Sequence, residues 1–164
     1  MGFEVTIVAF AAQPRHFNPA SWDEDNCTVT CNDIRANAPF KCDLDRRFDW
    51  LDWSLTRLRV DSLAGWAVRG REQIVPEAQS TQGFPIRWNA PNICNDIWSL
   101  LDGIDEAMLR SVIDYDKMAA ASLYKIENVD RNVLTSTVFE DFRALRTFYA
   151  GVARMGLSAL VYKD

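Results

Sequence analysis

The sequence predicts an α+β fold: a small sheet including N- and C-terminal strands, packed by several amphipathic helices. Three observations lead there. Strand-like runs stand at both ends, Phe3–Ala11 and Leu157–Tyr162. Between them, apolar residues recur at steps of three and four, the helical period. The strands are few and separated by helices, which suits a mixed class rather than a repeated βαβ pattern.

In the first strand Phe3, Val5, Ile7 and Ala9 fall on one side and Val8 and Phe10 on the other, and Pro14 ends it. Residues 15–42 are the least periodic; loops are expected there, with a brief edge strand at Thr28-Val29-Thr30. Asp43 is positioned to cap a helix carrying Leu44, Phe48, Leu51, Leu55 and Leu58, with Trp50 and Trp53 off the centre of that stripe. Gly65 and Gly70 break the stretch that follows, and Ile74-Val75 before Pro76 reads as extended. Phe84–Ala90 reads as an irregular connection, because Pro85 argues against a central strand.

Asn89 or Asn92 can cap a helix with Ile93, Ile97, Leu100 and Leu101, closed by Gly103. Asp105 caps the next, with Ile104 and Leu109 as a hydrophobic staple. Asp114 or Asp116 starts a short helix through Met118 towards Tyr124, and Glu127–Asn132 is a polar linker. Thr137-Val138-Phe139-Glu140 fits a capping box for the last helix. Its core stripe is Val138, Phe142, Leu145, Tyr149 and Val152, widened by Phe139 and Phe148. Gly156 stops it, and the apolar run Leu157–Tyr162 is a covered strand.

At 164 residues the chain reads as one domain, residues 1–164, long enough to bury a core without disulfides or metal. A net charge of −5 argues against a nucleic-acid binder or a partner of anionic membranes, both of which need a basic face. No apolar run approaches a membrane span, and Met1–Val5 carries no signal-peptide pattern. The expected location is the cytoplasm, with the four cysteines reduced.

The chain also resembles the YfbM-like family, a bacterial domain of unknown function. The motifs that carry the likeness begin with Met1-Gly2-Phe3 leading into a strand. Next comes the helix bearing Phe48, Trp50, Leu51, Leu55 and Thr56, then the loop with Gly83, Pro85, Arg87 and Pro91. The turn from Asp114 to Met118 with Tyr124 follows. Last is the aromatic helix with Phe142, Leu145, Phe148 and Tyr149, closed by Gly156 and Leu160-Val161-Tyr162. The resemblance implies a bacterial cytoplasmic α+β protein, and it implies no reaction and no catalytic residue.

Candidate chemistry is sparse. The single histidine, His16, would have to serve any Ser-His or Cys-His mechanism, but no nucleophile motif accompanies it. Cys27 and Cys31 have the spacing of one zinc pair, whereas Cys42 and Cys94 are isolated, so buried thiols are the reading taken. Asp23-Glu24-Asp25-Asn26 lacks the glycine and closing glutamate of a calcium loop. Asp49 and Asp52, three apart on a helix, could form an acid/base pair, although a solvated face is the plainer explanation. No cofactor and no metal site is expected.

The strongest cluster combines Trp50 and Trp53 with Arg87, Trp88 and Asn89: aromatics beside an anion-binding guanidinium and an amide. Packing of the tryptophans between helices is the competing explanation. The preferred function is a non-enzymatic binding or accessory protein, one version being an immunity-type protein that captures a basic toxin. The alternative is a small-molecule enzyme or sensor that binds an anionic group near Arg87. A polar cleft near residues 84–89 would favour the second, and an exposed apolar patch larger than any cleft the first. Oligomeric state is not legible.

Overall fold

The sheet is built around its final strand. The computed structural model describes residues 4–11, 31, 33–44, 47–59, 61–75 and 84–163. Its strands are β1 (Val5–Phe10), β2 (Lys41–Leu44), β3 (Glu72–Val75), β4 (Ile86–Asn89) and β5 (Ser158–Lys163). Their order is β2-β1-β5-β4-β3, and every neighbouring pair is antiparallel. The helices are α1 (described at 31 and over 33–37), α2 (Phe48–Leu58), α3 (Ser62–Arg69), α4 (Pro91–Asp102), α5 (Glu106–Val112), α6 (Tyr115–Ala120) and α7 (Arg131–Arg154). The fold is α+β, as the end strands and intervening helices predict.

Strand alternation sorts the side chains onto two faces. Val5, Ile7 and Ala9 of β1, Cys42 and Leu44 of β2, and Ala159 and Val161 of β5 join the main core with the helices. Val8, Phe10, Ile86, Leu160 and Tyr162 form a second, smaller cluster on the other face with Cys31, Ile34 and Ala38 from the α1 region. The Tyr162 hydroxyl donates to the Cys31 carbonyl there. The predicted stripe of α7 is core: Val138, Phe139, Phe142, Leu145, Phe148, Tyr149 and Val152 are all buried.

Several sequence expectations are corrected. Residues 41–44 are a strand, not the start of a helix. Their alternating exposure has period two, and Asp43 accepts from the Thr6 hydroxyl at 2.9 Å instead of capping. Helix α2 begins at Phe48 without a side-chain cap. Gly65 lies inside α3, which Asp61 caps through Ala64 N–H. Residues 86–89 are regular strand, and Pro85 merely precedes it, where a missing N–H costs no ladder bond. Helix α4 takes Ala90 as its N-cap, without a side-chain bond.

Helix α7 starts at Arg131, with Asp130 accepting from Asn132 N–H, so Thr137 is a buried mid-helix residue. A Thr-x-x-Glu pair lies on one helix face wherever it falls, and so it mimicked a start. Asp105 and Asp114 do cap α5 and α6, through Met108 and Lys117 N–H. Gly156 adopts φ +62° in the turn before β5. The expected Thr28–Thr30 strand lies outside the described residues.

One buried polar network ties these layers together. The Asn89 side-chain amide donates to the Trp66 carbonyl (2.9 Å) and to the Tyr149 hydroxyl (3.0 Å). Tyr149 in turn donates to the Ala67 carbonyl (3.0 Å), and Arg71 N–H donates to Asn89 Oδ1 (2.9 Å). The Cys94 thiol donates to the Asn89 carbonyl at 3.4 Å. Strand β4, helices α3, α4 and α7, and Arg71 beyond the end of α3 thus meet at Asn89. Removing the hydroxyl in Tyr149→Phe leaves the buried Ala67 carbonyl without that donor. The expected loss is about 1–3 kcal/mol, a fall in Tm of roughly 2–10 °C, with an unchanged denaturant m-value in urea titration.

Candidate functional site

On the helical side of the sheet, beside β4 and β5, a cleft of about 770 Å³ opens between α2, α3 and the turn after α6. Helix α2 supplies Phe48, Asp49 and Asp52 to its wall; α3 and its end supply Trp66, Arg69 and Gly70. Phe84 and Pro85 approach from just before β4, Arg87 from within it, Lys163 from β5, and Ser122 and Tyr124 from the turn after α6. Arg87 lies opposite Val161 in the β4–β5 register, so it points to the helical face with that residue.

Glycine brings the two arginines to one wall. Gly70 ends α3 at φ +71°, and a Cβ there would lie 2.6 Å from Arg87 Cβ. Only a residue without a side chain lets the end of α3 sit this close to β4, in a backbone region open to glycine. Arg69 lies back along its own helix, since a Cβ on Gly65 would fall 2.1 Å from Arg69 Nη2. Its Nε reaches 3.2 Å from Asp52 Oδ1. The Lys163 ammonium stands over the rings of Phe48 (5.1 Å) and Phe84 (5.2 Å).

The carboxylates are partly removed from water. Burial pushes the Asp52 carboxyl up from 3.8 to about 6; Arg69 and Lys163 oppose that, and the neighbouring Asp49 adds to it. Burial also raises Asp49, against the Tyr124 N–H that donates to its Oδ2 at 2.7 Å. Asp49 Oδ1 and Asp52 Oδ1 are both buried without a hydrogen bond, an arrangement that penalises the charged form. Trp50 Nε1 donates to the Tyr124 carbonyl at 3.1 Å, so α2 grips both backbone groups of that turn residue. Ser122 and Lys125, which flank it, are the described non-glycine residues at positive φ. Such strain persists only where the surroundings hold it, commonly beside binding sites.

Of the five residues singled out by sequence, one lines this cleft: Arg87. Trp50 is fully buried core beneath it. Trp53 is half-buried on α2 with Arg57 over its ring at 4.8 Å, outside the cleft lining. Trp88 faces the opposite side of the sheet, where its Nε1 donates to Glu72 at 3.2 Å. Asn89 is the buried hub of the network above. In their place stand Asp49 and Asp52, expected from sequence on a solvated face, together with Arg69, Trp66 and Lys163, which no motif singled out. The i,i+3 spacing of the two aspartates was the available signal; their burial was not visible in it.

Other candidates recede. Burial lifts the thiols of Cys42 and Cys94 to about 12, which keeps them protonated and unreactive. Cys31 is also buried. Among the described residues no cluster of three His, Cys, Asp or Glu could hold a metal ion. His16, Cys27 and the acidic run 23–26 lie outside the described residues. A second groove of about 1060 Å³ runs along α7 past Phe40, Trp98 and Phe148. It is larger but mostly apolar; its Lys41 pairs with Asp43 at 2.9 Å, and its Arg143 pairs with Glu106. No helix among the described residues is long and apolar enough to cross a membrane.

An antiparallel five-stranded sheet closed by its last strand, with a mixed-charge cleft beside β4, defines the class of α+β domain. The family described as a domain of unknown function, DUF1877, matches residues 13–162, and the chain belongs to it. Among solved structures it is similar to YfbM from Escherichia coli, a protein of unknown function. The two share 17% identity over 96% of this chain and 98% of that one, with a TM-score of 0.72. At that identity the likeness establishes the fold. No curated protein sequence matches the chain.

The raised Asp52 carboxyl makes a signed prediction. The folded state holds the Asp52 proton more tightly than the unfolded chain does. This contribution to stability is therefore present in acid and is lost as pH rises from near 4 through about 6. Asp52→Asn should make the protein about 1–3 kcal/mol more stable than wild type near neutrality, after allowance for the lost Arg69 pair. The difference should vanish below about pH 4, as read by urea denaturation at several pH values.

Proposed function

We propose that this protein binds a small molecule carrying an anionic group, with that group at Arg87. The observation that carries the reading is the convergence of Arg87, Arg69 and Lys163 on one aromatic-walled cleft in a chain of net charge −5. Against two acidic groups, Asp49 and Asp52, the cleft carries three cationic ones, the opposite balance to that of the chain as a whole. Aromatic and apolar walls with a few converging charges are the usual composition of a small-ligand site. Arg87 Nη1 donates to the Arg71 carbonyl at 3.4 Å, and among the described residues Arg87 forms no ion pair. Its guanidinium therefore keeps donors for a carboxylate or phosphate.

For a protein partner, which the sequence favoured, the feature among the described residues is the apolar groove along α7, whose Lys41 and Arg143 are paired with Asp43 and Glu106. Among the described residues the exposed large apolar side chains are Val133 and Met155, near opposite ends of α7. They do not make a patch.

A mixed small-molecule library screened by ligand-observed NMR tests the reading. Hits should carry an anionic group, compete with one another for one site, and bind Arg87→Ala at least about tenfold more weakly, the loss of one charge-assisted hydrogen bond. Hits that bind Arg87→Ala with unchanged affinity would overturn it.

A further inference from the structure

Resting on that reading, we propose that the ligand carries two anionic groups, one held by Arg87 and the other by Arg69, and that Asp52 takes up a proton as Arg69 leaves it for the ligand. Both arginines belong to the cleft, with the Arg69 guanidinium turned back over Gly65 towards Asp52 and that of Arg87 towards the Arg71 carbonyl. Gly70 presses the end of α3 against Arg87, so residues 69 and 87 are neighbours across a glycine contact. Both side chains line the cavity.

The bond that occupies Arg69 is a weak one. Its nearest approach to Asp52 is 3.2 Å through Nε, and Asp52 Oδ1 nevertheless has no hydrogen bond. The pair is ionic without directional geometry. The Arg69 side chain is 59% exposed against 19% for Asp52, so water screens the arginine end of the pair. The guanidinium rests over Gly65, on a surface where no Cβ holds it, so it can swing away without moving α3. A ligand anion offering two oxygens in the plane of the guanidinium is a better partner than the contact it replaces.

What Arg69 leaves behind explains the proton. Four other elements face Asp52 or share its cleft: Arg69 on α3, Lys163 on β5, Arg87 on β4, and the turn bearing Tyr124, while Asp49 sits on the same helix. Once Arg69 turns to the ligand, Asp52 loses its nearest cation and gains a nearby anion. Both changes disfavour its charged form, and burial already does so. Protonation removes the repulsion between Asp52 and the ligand and leaves a neutral carboxyl able to donate a hydrogen bond. No covalent bond is made or broken; one proton moves from solvent to Asp52.

The test uses fully ionised probes, so that the ligand itself does not titrate. Benzene-1,3-disulfonate is compared with benzenesulfonate, and isophthalate with benzoate, by isothermal titration calorimetry at about pH 7.5 and pH 5.5. Each two-anion probe should bind at least about tenfold more tightly than its one-anion partner, and Arg69→Ala should erase that advantage. Disulfonate affinity should rise about tenfold or more on going to the lower pH. Near pH 7.5, titrations in buffers of different ionisation enthalpy should show uptake approaching one proton. Asp52→Asn should abolish both the uptake and the pH dependence.

Equal binding of one- and two-anion probes, or proton uptake that persists in Asp52→Asn, overturns the inference while leaving the Arg87 assignment standing. The inference fails in the same way if none of the four probes binds but the library yields hits that require Arg87. Library hits indifferent to Arg87→Ala remove both.

Discussion

The amide of Asn89 is the contact on which the arrangement depends. It is fully buried and spends its donors and its acceptor on three different elements. A polar group at that depth is tolerated only when each of its bonds is made, and once made they leave little positional freedom. By holding the Trp66 carbonyl and, through Tyr149, the Ala67 carbonyl, it sets where the last turn of α3 lies. That turn ends in Arg69, with Gly70 next. The orientation of the cleft's cationic wall is therefore inherited from a hydrogen-bond network beneath it, and binding geometry and core integrity are not independent here.

The cleft itself is built against the interest of stability. Two carboxylates with buried oxygens that make no hydrogen bond, and Ser122 in left-handed conformation, border one cavity. Any of these would be relieved by ordinary substitutions: an amide for Asp52, a glycine for Ser122. Their concentration at one place marks a region whose composition is not explained by folding alone.

Much of the fold was legible from particular residues. The α7 stripe, the Asp105 and Asp114 caps, and the end strands carried unambiguous periodicity or cap chemistry. The misreadings have a common cause, which is that short segments satisfy two patterns at once. Lys41–Leu44 alternates like a strand yet holds an aspartate placed like a cap; Thr137 and Glu140 have capping-box spacing inside a helix already under way. Only the partner segments decide between such readings, since β2 exists because β1 offers it an edge. The site was less legible for the same reason. Arg87 could be suspected from its neighbours. Whether Trp88 and Asn89 shared its surface depended on a strand register that sends adjacent residues to opposite faces or into the core. Asp49 and Asp52 could be paired by spacing, but their burial comes from Tyr124, Arg69 and the sheet, all distant in sequence.

The placement of β5 carries a consequence for how the protein comes to exist. Residues 158–163 bond to β1 on one side and to β4 on the other, with Val5 facing Lys163. Before that segment is available, β1–β2 and β3–β4 are two separate two-stranded ribbons, each marginal in water, with edges open towards the gap between them. The pairing of β1 with β5 is the most non-local in the sheet, so it closes the longest loop. Arg87 and Lys163 cannot come to share a wall until β5 is in place. The interval before the central strand inserts is the time when the nascent chain is most exposed to pairing with the wrong molecule.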